Sequence, residues 1–204
     1  PVGTGKTFLA ECYAGSVGIP CIKLLNFRSK YVGETEGNLE KVLKVLRVMG
    51  PVAVVIDEAD AMLGDRKGGS DSGTSSRVFG LFASQMGNTA YRGKIVWFLL
   101  TCRPDLLPID LKRQGRCEVH IPLFYPETEA DIQEMFVVMG KKNKIVIDLD
   151  EIPKIPSKVS LSGADIEGIV MRAKRASLLQ KAEDVTKEHL EAAIRDFVPS
   201  AETA

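Results

Sequence analysis

At 204 residues the chain is long enough for one large domain or for two unequal lobes. Apolar residues at 45% and charged residues at 26% give the balance of a globular protein, and with aromatics at only 6% aliphatic side chains must build the core. The 27 basic residues equal the 27 acidic ones, so the basic excess of a dedicated nucleic-acid binder is missing.

The chain opens PVGTGKT, in which Gly5, Lys6 and Thr7 match the end of the phosphate-loop pattern GxxxxGK[ST]. Glycines let backbone N–H groups curl around phosphate oxygens with no Cβ in the way. Lys6 offers a point charge to the β- and γ-phosphates, and the Thr7 hydroxyl is a ligand for Mg²⁺. The helix expected next turns its positive end toward the anion. The pattern's first glycine would precede Pro1. That predicts a preceding glycine and strand in the full protein, and weak ATP binding by these 204 residues alone. The competing reading is a Gly-rich turn with an accidental lysine.

Four short β-rich runs follow in order as strand candidates: Ile19–Leu25, Val52–Ile56, Ile95–Thr101 and Val119–Leu123. Asn38–Met49 between the first two places Leu39, Val42, Leu43, Leu46 and Met49 on one helical face. Strands alternating with helices predict a parallel sheet covered by helices. The second run, in VAVVIDEAD, ends in Asp57 and Glu58. A carboxylate at the C-terminal end of a parallel strand sits beside the phosphate loop, whereas an isolated acidic pair would be a surface turn. With both motifs present in this order, Asp57 is expected to hold the Mg²⁺ shell and Glu58 to orient and deprotonate the attacking water. ATP and Mg²⁺ are therefore the expected ligands.

Gly64–Ser76, rich in Gly and Ser, reads as a mobile loop. After Pro126 the pattern becomes helical. Thr128–Gly140 and Ser162–Lys181 each begin with capping-box spacing (Thr128 with Asp131, Ser162 with Asp165), and Thr186–Phe197 is a third helix. The expected organisation is an α/β subdomain over residues 1–125 and a helical lid over 126–204.

Cys12, Cys21, Cys102 and Cys117 include no CxxC pair, and His120 and His189 stand far apart, so no metal-ligand spacing appears. Scattered cysteines fit a reducing, cytoplasmic compartment. No apolar run reaches membrane-spanning length.

Taken together, PVGTGKT, VAVVIDEAD, LTCRPDLLPIDLKRQGR and SGADI resemble the AAA family of ATPases, in the branch of proteasomal ATPases, valosin-containing segregases and katanin. The resemblance implies a two-lobed P-loop module working as a hexameric homo-oligomer with ATP at the subunit junctions. It extends the nucleotide site over Gly3, Thr4, Gly5, Lys6, Thr7 and Phe8, and adds Gly163 and Ala164 where the helical lobe meets the nucleotide. Arg113 and Arg116 fall on the paired arginines that reach a neighbour's γ-phosphate, where negative charge spreads during transfer. KYVGETE, at 30–36, resembles the axial loop of substrate-threading members, with Tyr31, Val32 and Gly33 in a central channel and Gly64–Ser76 as a second channel loop. A protein substrate is then expected, and no nucleic acid. The alternatives are a nucleic-acid loader or helicase-like ATPase, and an ATP switch or scaffold that threads nothing.

Two departures stand out. Cys102 occupies the sensor position where most relatives carry the asparagine that helps place the water; the alternatives are substitution by Thr101, substitution by a water, or slow hydrolysis. GRCEVH replaces GRFDR, with Cys117, Glu118 and Val119 at the changed positions. Cys102 and Cys117 are both expected to pack as small hydrophobes, and His120 to be structural. No HExxH occurs, which leaves the zinc-protease branch without support in these residues.

Overall fold

A computed structural model describes residues 1–25, 34–63, 72–155, 160–182 and 184–199. They form two compact units, Lys6–Ile121 and a second unit made of Pro122–Ala204 with Pro1–Gly5.

The first unit is built on three parallel strands, β1 (Cys21–Lys23), β2 (Val52–Ile56) and β3 (Ile95–Leu99), in the order β1-β2-β3. Cys21 pairs with Ala53, and Val52 with Ile95. Every residue of the central strand β2 is buried, as its unbroken apolar run requires. Its alternation sends successive side chains to opposite faces. Val52, Val54 and Ile56 meet Leu39, Leu43 and Leu46 of α2 (Glu34–Val48) and Val78 and Phe82 of α4 (Ser72–Gly87). Val55 meets Ala10 of α1 (Lys6–Val17) and Leu100 on the other face. α1 buries only Ala10 and Ala14, and such small side chains let a helix lie close on a sheet. Two short helices, α3 (Ala59–Leu63) and α5 (Ile109–Lys112), follow the C-terminal edge of the sheet.

Several expectations shift. The first and third strands end earlier than predicted, at Lys23 and Leu99. Met49, expected on the buried face of α2, is 44% exposed. The expected loop at 64–76 gives way to helix from Ser72, while 64–71 lie outside the described residues. Val119–Leu123 forms no strand. An apolar run becomes a strand only where a ladder partner takes its backbone groups. Here Pro122 lacks an N–H, and Val119 and Ile121 are exposed.

Among the described residues the second unit contains no strand. It packs α6 (Glu129–Lys142), α7 (Gly163–Leu179) and α8 (Lys187–Arg195) around Phe136, Leu161, Ile166, Ile169, Val170 and Leu190. Thr128 and Ser162 cap α6 and α7 with reciprocal bonds to Asp131 and Asp165, as their spacing predicts. A third box at α8 uses an imidazole. The Thr186 N–H donates to Nδ1 of buried His189, whose Nε2 lies 3.0 Å from Oε1 of Gln180. That arrangement makes Nδ1 the acceptor and Nε2 the donor.

Candidate functional site

The glycines of PVGTGKT are held in backbone conformations that other residues resist. Gly3 has φ +75° and Gly5 φ +82°. Thr4 Oγ1 donates to the Pro1 carbonyl at 3.2 Å, tightening the turn. Gly3 is required for space as well. A Cβ there would stand 2.6 Å from Oγ of Ser162 and 3.1 Å from Cβ of Ala164. The Ala164 N–H donates to the Gly3 carbonyl at 3.2 Å, and a Cβ on Gly163 would meet Cε of Met135 at 2.8 Å. Gly163 and Ala164 thus lie against the first half of the loop, within the second unit. Their small size and the capped start of α7 make that approach possible.

The chain passes from Gly5 directly into α1, so Lys6, Thr7 and Phe8 occupy its first turn, where amide N–H groups lack helical acceptors. Phe8 is 59% exposed. Thr7 meets the acidic end of β2, its hydroxyl donating to Oδ2 of Asp57 at 2.9 Å. The other carboxylate oxygen of Asp57 accepts the Glu58 N–H at 2.9 Å. Two residues 50 positions apart therefore present a hydroxyl and a carboxylate side by side.

Glu58 itself has φ +48°, a left-handed conformation that costs a non-glycine residue about 1–2 kcal/mol. The backbone around it is tied down: the Ala59 N–H donates to the Leu100 carbonyl at 2.9 Å, and the Glu58 carbonyl accepts from Ala61 at 2.9 Å. Both Asp57 and Glu58 remain exposed at the C-terminal edge of the sheet.

Thr101 lies on the same edge. Its hydroxyl forms a hydrogen bond with Asp60, and its oxygen accepts the Arg103 N–H at 2.9 Å. Sequence reasoning gave Asp60 no role. Nothing local could have found it, because its partner lies 41 residues away. Cys102 is exposed rather than packed. It falls in the exposed stretch 102–106 that follows β3. Cys117 does pack as expected, on the core beside Met86 at 3.8 Å, and burial pushes its thiol up to about 11. It therefore stays protonated at neutral pH. His120 is exposed, its Nε2 3.1 Å from the Cys117 carbonyl.

Arg113 and Arg116 flank the turn after α5. Asp110 organises both: Oδ1 lies 3.6 Å from Nε of Arg113, and its carbonyl accepts from Nη1 of Arg116 at 2.8 Å. Gly115 turns the chain with φ +80°, and its N–H donates to Oε2 of Glu118 at 2.8 Å. Arg113 keeps 60% of its side chain exposed and is free to extend. Tyr31, Val32 and Gly33 lie outside the described residues.

The donor chemistry suits a nucleotide with Mg²⁺. Magnesium favours hard oxygen ligands and is usually held by one or two protein groups together with phosphate oxygens. Thr7 and Asp57 supply two such oxygens. Among the described residues no cluster of three His, Cys, Asp or Glu side chains offers a cage of its own. Nor, among them, is any helix long and apolar enough to cross a membrane.

Comparison with known proteins places nearly the whole sequence beside known ATPases. Over 98% of its length the chain is 28% identical to a Cell division cycle protein 48 homolog of Archaeoglobus fulgidus, covering 30% of that protein. It is 30% identical over 97% of its length to a Putative ribosome biogenesis ATPase nvl of Dictyostelium discoideum, covering 23% of it. It is 29% identical over 95% of its length to an ATP-dependent zinc metalloprotease FtsH 3 of Sphaerobacter thermophilus, covering 40% of it. The chain thus spans less than half the length of these curated relatives. Residues 1–125 match the model of the ATPase family associated with various cellular activities. With a parallel sheet, a glycine loop opening α1 and Thr7 bonded to Asp57, the chain belongs to that family, the AAA ATPases.

Proposed function

We propose that this chain is the ATP-hydrolysing core of a protein remodeller that works as a hexameric ring of identical subunits. The observation that carries the nucleotide site is the Thr7–Asp57 hydrogen bond, which joins the end of the phosphate loop to the acidic end of the central strand. The α/β part, 1–125, carries the chemistry, and the helical part, 126–204, serves as its lid.

In this reading the loop amides from Gly3 to Phe8 bind the phosphates, and Lys6 neutralises the β- and γ-phosphate oxygens. Gly163 and Ala164 reach the nucleotide through their contact with Gly3. Thr7 and Asp57 would hold Mg²⁺, which when bound supplies Lewis-acid polarisation of the phosphoryl oxygens. Glu58 orients a water in line with the γ-phosphorus and accepts its proton as the new P–O bond forms. The bond to the β,γ-bridging oxygen breaks, and ADP leaves with the electron pair. Arg113 and Arg116 act on the site of the neighbouring subunit. Exposed Cys102 holds the sensor position without an amide, so water placement falls to Glu58 and its supports.

Tyr31, Val32 and Gly33 form the substrate loop. An aromatic can grip an extended polypeptide by apolar contact without reading its sequence. Balanced charge gives no support to a nucleic-acid substrate, four scattered cysteines fit a cytoplasmic compartment, and the missing HExxH leaves no ground for proteolysis by these residues.

Tyr31→Ala is expected to keep ATP affinity, thermal stability and most basal hydrolysis, yet to lose unfolding of a tagged model protein. A buried tyrosine would behave otherwise, because truncating a core aromatic costs about 3–5 kcal/mol and lowers every activity together. Normal unfolding by a stable Tyr31→Ala variant would remove threading and favour a switch or scaffold. ATPase stimulation by single-stranded DNA but not by unfolded protein would favour the nucleic-acid alternative.

A further inference from the structure

We propose that Asp60 and Thr101 are a positioning pair that holds Glu58 in its left-handed, water-facing conformation. The proposal rests on the reading of Glu58 as the base.

Glu58 is the one non-glycine residue with positive φ among the described residues of the first unit. Such a conformation persists only where the surroundings over-determine it. Upstream, Asp57 fixes the Glu58 N–H. Downstream, two ties run from the start of α3 to the end of β3. One is the backbone bond from the Ala59 N–H to the Leu100 carbonyl. The other is the side-chain bond from Thr101 to Asp60. Since Glu58 lies between Asp57 and these ties, its backbone is gripped from both sides.

The polarity of the second tie follows from donor and acceptor counts. The Thr101 oxygen already accepts the Arg103 N–H at 2.9 Å, and a carboxylate offers only acceptors. The single hydroxyl proton of Thr101 is therefore committed to Asp60. Thr101 is thus not a donor to the attacking water in place of the absent asparagine amide. Its contribution passes through Asp60 and the backbone to Glu58.

Loosening this tie should misplace the base without touching the phosphate loop. Thr101→Val keeps the shape and removes the proton. It is expected to lower kcat about 10- to 100-fold while ATP Kd and KM stay within about twofold of wild type. Thr101→Ser, which restores the hydroxyl, should recover most of the rate. Asp60→Ala should lose a similar factor from the other side, and Thr101→Val should add little to the loss already present in Glu58→Gln. Melting temperature is recorded for every variant. Wild-type kcat in Thr101→Val, no recovery in Thr101→Ser, or a parallel fall of stability, affinity and kcat in both Thr101→Val and Asp60→Ala would overturn the pair's positioning role. Glu58→Gln separates the two levels. If it is inactive while Thr101→Val is normal, only the pair is wrong. If it hydrolyses ATP at the wild-type rate, the base assignment itself fails.

Discussion

Glu58→Gln in the full-length protein is expected to bind ATP about as tightly as wild type and to hydrolyse it about 10²–10⁴-fold more slowly. The carboxylate contributes at the proton-transfer step, when the water becomes a nucleophile. Its amide replacement is nearly the same size and keeps the hydrogen-bonding reach, but cannot take the proton. The Thr7–Asp57 bond does not involve the Glu58 side chain, so that binding contact survives. The exchange should also be tolerated structurally, because Glu58 is exposed and its backbone ties run through main-chain groups and Asp57. Nucleotide affinity and single-turnover rate on the same preparation check the expectation. Equal hydrolysis by variant and wild type would refute the role given to Glu58.

The second large effect belongs to the arginines. Arg113→Ala is expected to reduce hydrolysis by about 10³-fold or more, the scale at which an inserted guanidinium acts in related phosphoryl transfers. The effect should appear at the neighbour's site. Arg113 is largely exposed and its ion pair with Asp110 spans 3.6 Å, so the guanidinium can leave that contact at little cost. Rings mixed from Glu58→Gln and Arg113→Ala subunits should regain turnover, because some junctions join an intact base to an intact arginine. Mixed hexamers, confirmed by light scattering, that recover no activity would count against action in trans.

Local chemistry was the most legible part of the sequence. Val52–Ile56 is a five-residue apolar strand bounded by Pro51 and Asp57, and it forms with those ends because a central parallel strand is buried on both faces. The caps at Thr128 and Ser162 were readable because box partners lie three residues apart. Val119–Leu123 was misread because periodicity reports apolar content but not the presence of a ladder partner. Met49 marks the point where the buried stripe of α2 runs out at the end of the helix. In the candidate site the residue types were visible, while their supports were not. Asp60 finds Thr101 across 41 positions, and Gly3 meets Ser162 and Ala164 from far along the chain. Such contacts depend on topology rather than on spacing. The exposure of Cys102 belongs with them, since residue type alone does not say whether a cysteine is buried.

Nucleotide binding by the loop that Thr7 joins to Asp57 underlies every proposed step. Its most direct test is calorimetric titration of the full-length protein with ATP, with and without Mg²⁺, for wild type and Lys6→Ala. Lys6 lies at the start of α1, where its charge meets the β- and γ-phosphates in this reading. Wild type should bind ATP, more tightly with Mg²⁺, and Lys6→Ala should lose binding by about 100-fold or more while remaining folded, as expected for removal of a charged ligand contact. Equal ATP affinity in a folded Lys6→Ala variant would contradict the assignment of this loop as the nucleotide site.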